Sequence, residues 1–168
     1  MTRDRRFVAV HRGGSLDLTR HRLLASWAAD CAEHVLPLFT HRHPDDDRPR
    51  LAIEAARAWS RGEITVGAAR EAAFQAHAAA RDASENENAA RAAARASGQA
   101  ASTSHMADHS LGAAAYAVRT MKLASPVPDS EAAGDREGQW QRDRLPEAVR
   151  ELVVPAQDQR SVLGNWQP

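Results

Sequence analysis

Alanine is the feature that most constrains what this chain can fold into. It fills 36 of the 168 positions, whereas the larger aliphatic and aromatic residues are sparse, with 12 Leu, 10 Val, 2 Ile, 3 Phe and 4 Trp. Because alanine has the highest helix propensity and a poor strand propensity, a mostly β architecture is excluded. A chain of this length corresponds to about one domain. The composition therefore predicts an all-α protein, a compact bundle of five to seven helices.

The charge balance argues against several classes of function. There are 22 basic and 22 acidic residues, so no net positive charge attracts nucleic acid, and we predict no nucleic-acid partner. No run approaches 18 consecutive apolar residues, so we predict no membrane-spanning helix. The apolar stretch at 7–10 is too short for a signal-peptide core, which makes the cytoplasm the expected compartment. An oligomer remains possible.

Changes in composition along the chain predict four segments. Residues 1–14 form a basic, partly disordered N-terminus, and residues 15–124 form the alanine-rich helical bundle. Residues 125–138 are rich in Pro, Asp, Ser, Glu and Gly, which predicts a loop. Residues 139–168 are predicted to form short helices and a tail that pack on the bundle. The C-terminal region is thus expected to be loop-rich or disordered.

Apolar residues recur at spacings of three and four, which predicts the individual helices. The first helix is predicted from about 18 to 39. The next two are predicted to end at Gly62 and near residue 83. The stretch 88–123 is too long for one ordinary helix, and its Ser, Gly and Thr residues predict two helices or a kink. The core face of the first helix is predicted to contain Leu24, Trp27, Cys31, Val35 and Leu38.

Three of the eight histidines are placed where they could form a site. His105 and His109 share a face if they lie on one continuous helix, Tyr116 follows two turns later, and His77 lies on the preceding alanine-rich helix. If the two helices pack antiparallel, these side chains could converge. They could then be structural, line a pocket for a ligand or partner, or hold a metal ion. The metal reading is the weakest, and no cofactor is predicted.

A second polar segment, residues 41–47, contains two histidines and three aspartates. Such a segment could chelate a divalent cation. A solvated loop that ends in a helix cap explains the same residues, and we favour that interpretation. Residues 45–47 and 129–137 are the only local concentrations of acidic residues.

Several blocks of sequence together resemble one family. They include Trp27-Ala-Ala-Asp-Cys-Ala-Glu-His-Val-Leu-Pro-Leu-Phe39, Arg48-Pro-Arg-Leu-Ala-Ile-Glu-Ala-Ala-Arg-Ala-Trp59, Ser104-His-Met-Ala-Asp-His109 and Gln139-Trp-Gln-Arg-Asp-Arg-Leu-Pro146. The pattern, over about residues 15–155, resembles the Imm-5-like immunity proteins of actinobacteria. This resemblance implies a small all-helical protein that binds and neutralises a toxin. It brings no catalytic residues with it.

Two classes of function follow from these observations. The first is a non-catalytic binding protein, an immunity protein whose partner is a protein toxin. The alternative is a small helical enzyme or small-molecule-binding protein of specialised metabolism that uses His77, His105, His109 and Tyr116. A pocket with converging imidazoles favours the second class. A filled bundle with a flat acidic face favours the first, because inhibitors often present a charge opposite to that of their target.

Overall fold

The computed structural model describes residues 4–162 and confirms the all-α prediction for that range. Seven long helices and one four-residue helical turn make up the bundle, and no strand occurs among the described residues. One isolated β-bridge joins Ala9 and Leu16. The helices are α1 (Leu18–Val35), α2 (Pro37–Thr40), α3 (Arg48–Ser60), α4 (Val66–Asp82), α5 (Asn88–Ser102), α6 (His109–Ala124), α7 (Ser130–Asp143) and α8 (Glu147–Val162).

The predicted core face of the first helix is confirmed for four of its five residues. Leu24, Trp27, Cys31 and Val35 are fully buried. Leu38 is only partly buried, and its neighbour Phe39 takes the core position. Val35 and Phe39 are four residues apart, so Phe39 continues the buried face across Pro37, where the short helix α2 begins.

Helix α5 is the centre of the bundle, in contact with α1, α2, α3, α4 and α6. Ten of its fifteen residues are buried, and all ten are alanine, serine or glycine. Because small side chains let helix axes approach closely, neighbouring helices can pack against α5 from several sides. This packing explains how a chain with few large hydrophobes still fills its core.

The stretch 88–123 is two helices, as predicted, but their junction changes the placement of His105. Residues 103–108 form successive turns between α5 and α6. His105 therefore lies in the connection rather than on a helix continuous with His109, so the premise that the two share one helix is wrong. The Thr103 hydroxyl donates to the Gln99 carbonyl, and a run of three hydroxyl-bearing residues at 102–104 favours a break at this position.

Two segments are more ordered than the sequence predicts. Residues 130–138 were expected to be loop, but they belong to α7, which buries Ala133, Gly134, Glu137 and Gln141. Tertiary packing outweighs the weak helix propensity of this segment. Near the N-terminus, residues 4–14 form two 3₁₀ turns rather than a disordered arm, and Phe7 is buried in the core.

No helix in the described range 4–162 is both long and apolar enough to cross a membrane. The predicted tail beyond residue 162 lies outside the described residues.

Candidate functional site

His77 lies on α4 and packs directly against the backbone of α5. A Cβ atom built on Gly98 would stand 2.6–2.8 Å from three atoms of the His77 ring. Only glycine leaves that space, so the small residue at 98 admits the imidazole into the interface between the two helices. The ring is half-buried, and its Nδ1 atom is buried without a hydrogen-bond partner.

His105 and His109 lie side by side at the junction of α5 and α6. Their ring centroids are 5.1 Å apart at an interplanar angle of 47°. His109 Nδ1 forms a 2.6 Å hydrogen bond with Gln99 Oε1, which ties the ring to α5. His105 Nδ1 is buried and unpartnered. The turns at 103–108 thus bring together the two imidazoles that a continuous helix was expected to align.

Tyr116 is farther inside the protein than the sequence predicts. Its side chain is 4% exposed and belongs to the main hydrophobic core. A hydrogen bond connects it to Arg95 of α5, whose charge also acts on His77. Burial raises the pKa of the Tyr116 hydroxyl, an effect that Arg95 and Arg119 partly oppose. Tyr116 is therefore a core residue whose hydroxyl interacts with Arg95.

Both unpartnered imidazoles are neutral at physiological pH. The pKa of His77 is lowered to about 4, mainly by burial. The charges of Arg95, His109 and Arg81 contribute smaller shifts in the same direction. Burial also lowers the pKa of His105 to about 4. The charges of His109, Arg70 and Arg12 act in the same direction, and Asp108 opposes them. Neutral imidazoles can donate and accept hydrogen bonds, so these rings suit polar recognition without charge.

The lowered pKa of His77 predicts a loss of stability in mild acid. Between pH 6.5 and 4 the unfolded chain binds a proton at this residue and the folded chain does not, so stability falls as the pH falls. Glutamine does not titrate, so we expect the free energy of unfolding of His77→Gln to fall less across this window. The difference should be only about 1–2 kcal/mol, because water screens the exposed part of the histidine ring. Urea unfolding of both proteins at several pH values measures the difference. Equal declines would contradict the burial of this ring.

Arginines surround the two unpartnered histidines. The charges of Arg12 and Arg70 act on His105, and those of Arg81 and Arg95 act on His77. We call these four arginines the basic face. None of them forms an ion pair with another residue in the described part of the chain. The surroundings of the histidines are therefore cationic.

A metal centre does not form from the predicted candidates. Within residues 4–162, no group of three or more His, Cys, Asp or Glu side chains is arranged to hold a metal ion. In the segment 41–47, His43 Nε2 instead contacts Glu87 Oε2 at 3.1 Å, and its ring stacks on Phe39. Asp46 pairs with Arg48 at 2.7 Å. These contacts support the loop-and-cap interpretation of the segment.

The acidic concentrations found in the sequence do not form an open acidic face. Asp46 and Asp47 are paired with Arg48 and Arg50 of α3. In the stretch 129–137, Glu131 pairs with Lys122, and the side chain of Glu137 is completely buried. Three of these carboxylates are paired with neighbouring cations and a fourth is buried, so the two stretches give no support for a flat acidic face.

Glu137 belongs to a polar network that the sequence did not reveal. Its Oε2 lies 2.7 Å from His34 Nδ1, and its Oε1 accepts a 2.9 Å hydrogen bond from Gln141 Nε2. The His34 ring stacks on Trp140 with centroids 3.7 Å apart. The network connects α7 to α1 and lies near Cys31. Burial raises the pKa of the Cys31 thiol well above its usual range, with Glu137 adding to the effect, which confirms that this cysteine is a core residue.

Sequence reasoning missed the residues of α4 that lie in line with His77. Arg70, Phe74, His77 and Arg81 follow one another at spacings of four, three and four, so they form one stripe of the helix. Phe74 is 56% exposed, and the Arg70 guanidinium lies 5.8 Å from its ring centroid. The helical spacing was visible in the sequence. The sequence could not show that Arg70, Phe74 and Arg81 are exposed while His77 is half-buried against α5, because burial depends on which helices pack against α4.

The fold is an alanine-rich helical bundle. Its candidate site consists of neutral histidines with arginines around them. The sequence model of the family described as "Imm-5 like putative immunity protein" matches residues 14–148, most of the chain. The protein therefore belongs to this family, as the resemblance indicated. No curated protein and no solved structure matches the chain.

Proposed function

We propose that this protein is an immunity protein that neutralises a toxin by direct, non-catalytic binding. Membership of the Imm-5-like family, over residues 14–148, is the observation that carries the proposal. The packing of the bundle supports it. Since α5 and its neighbours are held together by small side chains, the surface they present is well fixed, which lowers the entropic cost of binding.

Four of the eight histidines make structural contacts, which also supports binding rather than catalysis. His21 is hydrogen-bonded to the Thr103 carbonyl at 2.6 Å. His34 and His43 pair with buried or half-buried glutamates, and His109 is held by Gln99. These imidazoles fix the positions of helices. The two rings with unpartnered Nδ1 atoms, His77 and His105, are available for contact with a partner through their exposed edges.

The proposed contact site is centred on His77, His105 and His109, with Tyr116 supporting it from the core. The partner is a protein toxin. The alternative, a small-molecule ligand or an enzymatic reaction at the same side chains, makes a different prediction about stoichiometry. A binding protein neutralises one toxin molecule with one of its own, whereas an enzyme turns over many.

The site is tested with His105→Ala against candidate toxins drawn from the genes that flank this protein's gene. Removing a half-buried imidazole with an unsatisfied nitrogen should change the free energy of unfolding by less than about 1 kcal/mol. Affinity for the toxin should fall about tenfold or more, as for a residue near the centre of an interface. His41→Ala, at an exposed histidine elsewhere, is the matched control and should bind normally. Normal binding by His105→Ala would contradict the location of the site.

A further inference from the structure

We propose that the basic face, together with Phe74 and the histidines it surrounds, is a docking surface for an acidic segment of a protein partner. This inference rests on the proposed function, because it specifies the chemistry of the partner that the immunity protein recognises. It also enlarges the site beyond the histidines.

The distribution of ion pairs is the first argument. Elsewhere in the described chain, eight of the fifteen arginines whose side chains are described have carboxylate partners. Arg57 bridges Asp30 and Glu33, Arg48 bridges Asp46 and Asp82, and Arg50 bridges Asp47 and Glu54. The four arginines of the basic face have no such partner in the described range, although the protein as a whole has no net charge. Cations concentrated without internal anions complement a negatively charged surface.

The exposed aromatic ring of Phe74 is the second argument. It stands on the outer stripe of α4 between Arg70 and His77, in cation–π contact with the Arg70 guanidinium. Aromatic residues, phenylalanine included, and arginine are both enriched in protein interfaces relative to the rest of the surface. A purely electrostatic site for small anions would not need this apolar side chain.

The neutral histidines are also suited to bind an acidic segment of a protein partner. Half-buried imidazoles that stay uncharged at physiological pH can donate hydrogen bonds to carboxylates or backbone carbonyls of an acidic segment. Arg12 extends the surface onto the N-terminal 3₁₀ turns, since its charge reaches His105 from that side. Three parts of the chain therefore contribute: the N-terminal turns, α4 and the junction of α5 and α6.

The test uses a short peptide of alternating aspartate and glutamate, its asparagine–glutamine counterpart, and single-stranded DNA of the same net charge. Binding to the full-length protein is followed at low ionic strength through backbone amide shifts. We expect the acidic peptide to bind, to shift the signals of Phe74, His77 and His105, and to dissociate as salt is added. The neutral peptide should not bind. Shifts confined to another surface, or tighter binding of the DNA, would overturn the proposal.

The residues that bind the acidic peptide are identified by comparing substituted proteins. Arg70→Ala combined with Phe74→Ala changes two exposed side chains and should weaken acidic-peptide and toxin binding about tenfold or more. The control, Arg50→Ala combined with Leu51→Ala, removes an arginine and an exposed apolar side chain from α3, where Arg50 is already paired with a carboxylate. This variant should bind as the wild type does. If the first double variant melts early, Arg81→Glu on the same exposed stripe replaces it, with the same expected loss.

The two proposals can fail separately. If Arg70→Ala/Phe74→Ala neutralises and binds the toxin as the wild type does, the docking surface is contradicted and neutralisation stands. If the wild-type protein binds the acidic peptide at this surface but protects against no toxin, the docking surface is supported and the immunity function is contradicted.

Discussion

Replacing Trp27 with alanine should lower the free energy of unfolding by about 3–5 kcal/mol. Among the described residues, Trp27 is the largest of the fully buried side chains, and it is 1% exposed. Its indole Nε1 donates a 2.9 Å hydrogen bond to the Gln141 carbonyl, so the substitution leaves a cavity and an unpaired acceptor together. In a core built mainly from alanine, few large side chains are available to refill that space.

Urea unfolding of Trp27→Ala measures this loss, and Trp140→Ala is the matched control. Trp140 is only partly buried and stacks on His34 near the surface, so the same chemical change should cost about 1–2 kcal/mol. A cost below about 1 kcal/mol at Trp27, or equal costs at the two positions, would contradict the assignment of Trp27 to the centre of the core.

Replacing Glu137 with alanine should cost about 2–4 kcal/mol, because a buried hydrogen-bonded pair loses one partner. The Gln141 amide would lose its acceptor and His34 its carboxylate, which weakens the attachment of α7 to α1. Glu137→Gln keeps the shape and can still accept from Gln141 and donate to His34. We therefore expect it to cost about 1 kcal/mol or less.

Comparing the two Glu137 variants in the same unfolding experiment separates hydrogen bonding from charge. If Glu137→Gln is as unstable as Glu137→Ala, the network depends on the ion pair itself. That outcome would contradict an account based on satisfied hydrogen bonds.

The helices of the first two-thirds of the chain were predictable because local signals agree there. The apolar spacing from Leu24 to Val35 is confirmed, and the Thr65 side chain accepts a hydrogen bond from the Ala68 amide at the start of α4. Helix α7 was not predictable, since its glycines and acidic residues favour a loop and only burial of Glu137 and Gln141 against other helices makes it stable. Local propensity could not indicate that contact.

The candidate site was partly predictable for a related reason. The sequence predicted that His77, His105 and His109 could lie near one another. In the structure the rings of His105 and His109 are in contact, and His109 also lowers the pKa of both His77 and His105. The sequence could not show that Tyr116 is buried and interacts with Arg95. Nor could it show that the charges of arginines from three elements act on the histidines. Which charges meet is decided by helix packing, and helix packing depends on contacts distant in sequence.

The most direct test of the account is a titration of a candidate toxin, drawn from the genes that flank this protein's gene, with the purified protein, followed by residual toxin activity. Neutralisation by binding predicts that activity falls linearly and is lost at one molecule of protein per molecule of toxin, with a stable complex of the two. Loss of activity at a small fraction of that ratio, with a chemically altered toxin and no complex, would contradict it and establish an enzyme instead.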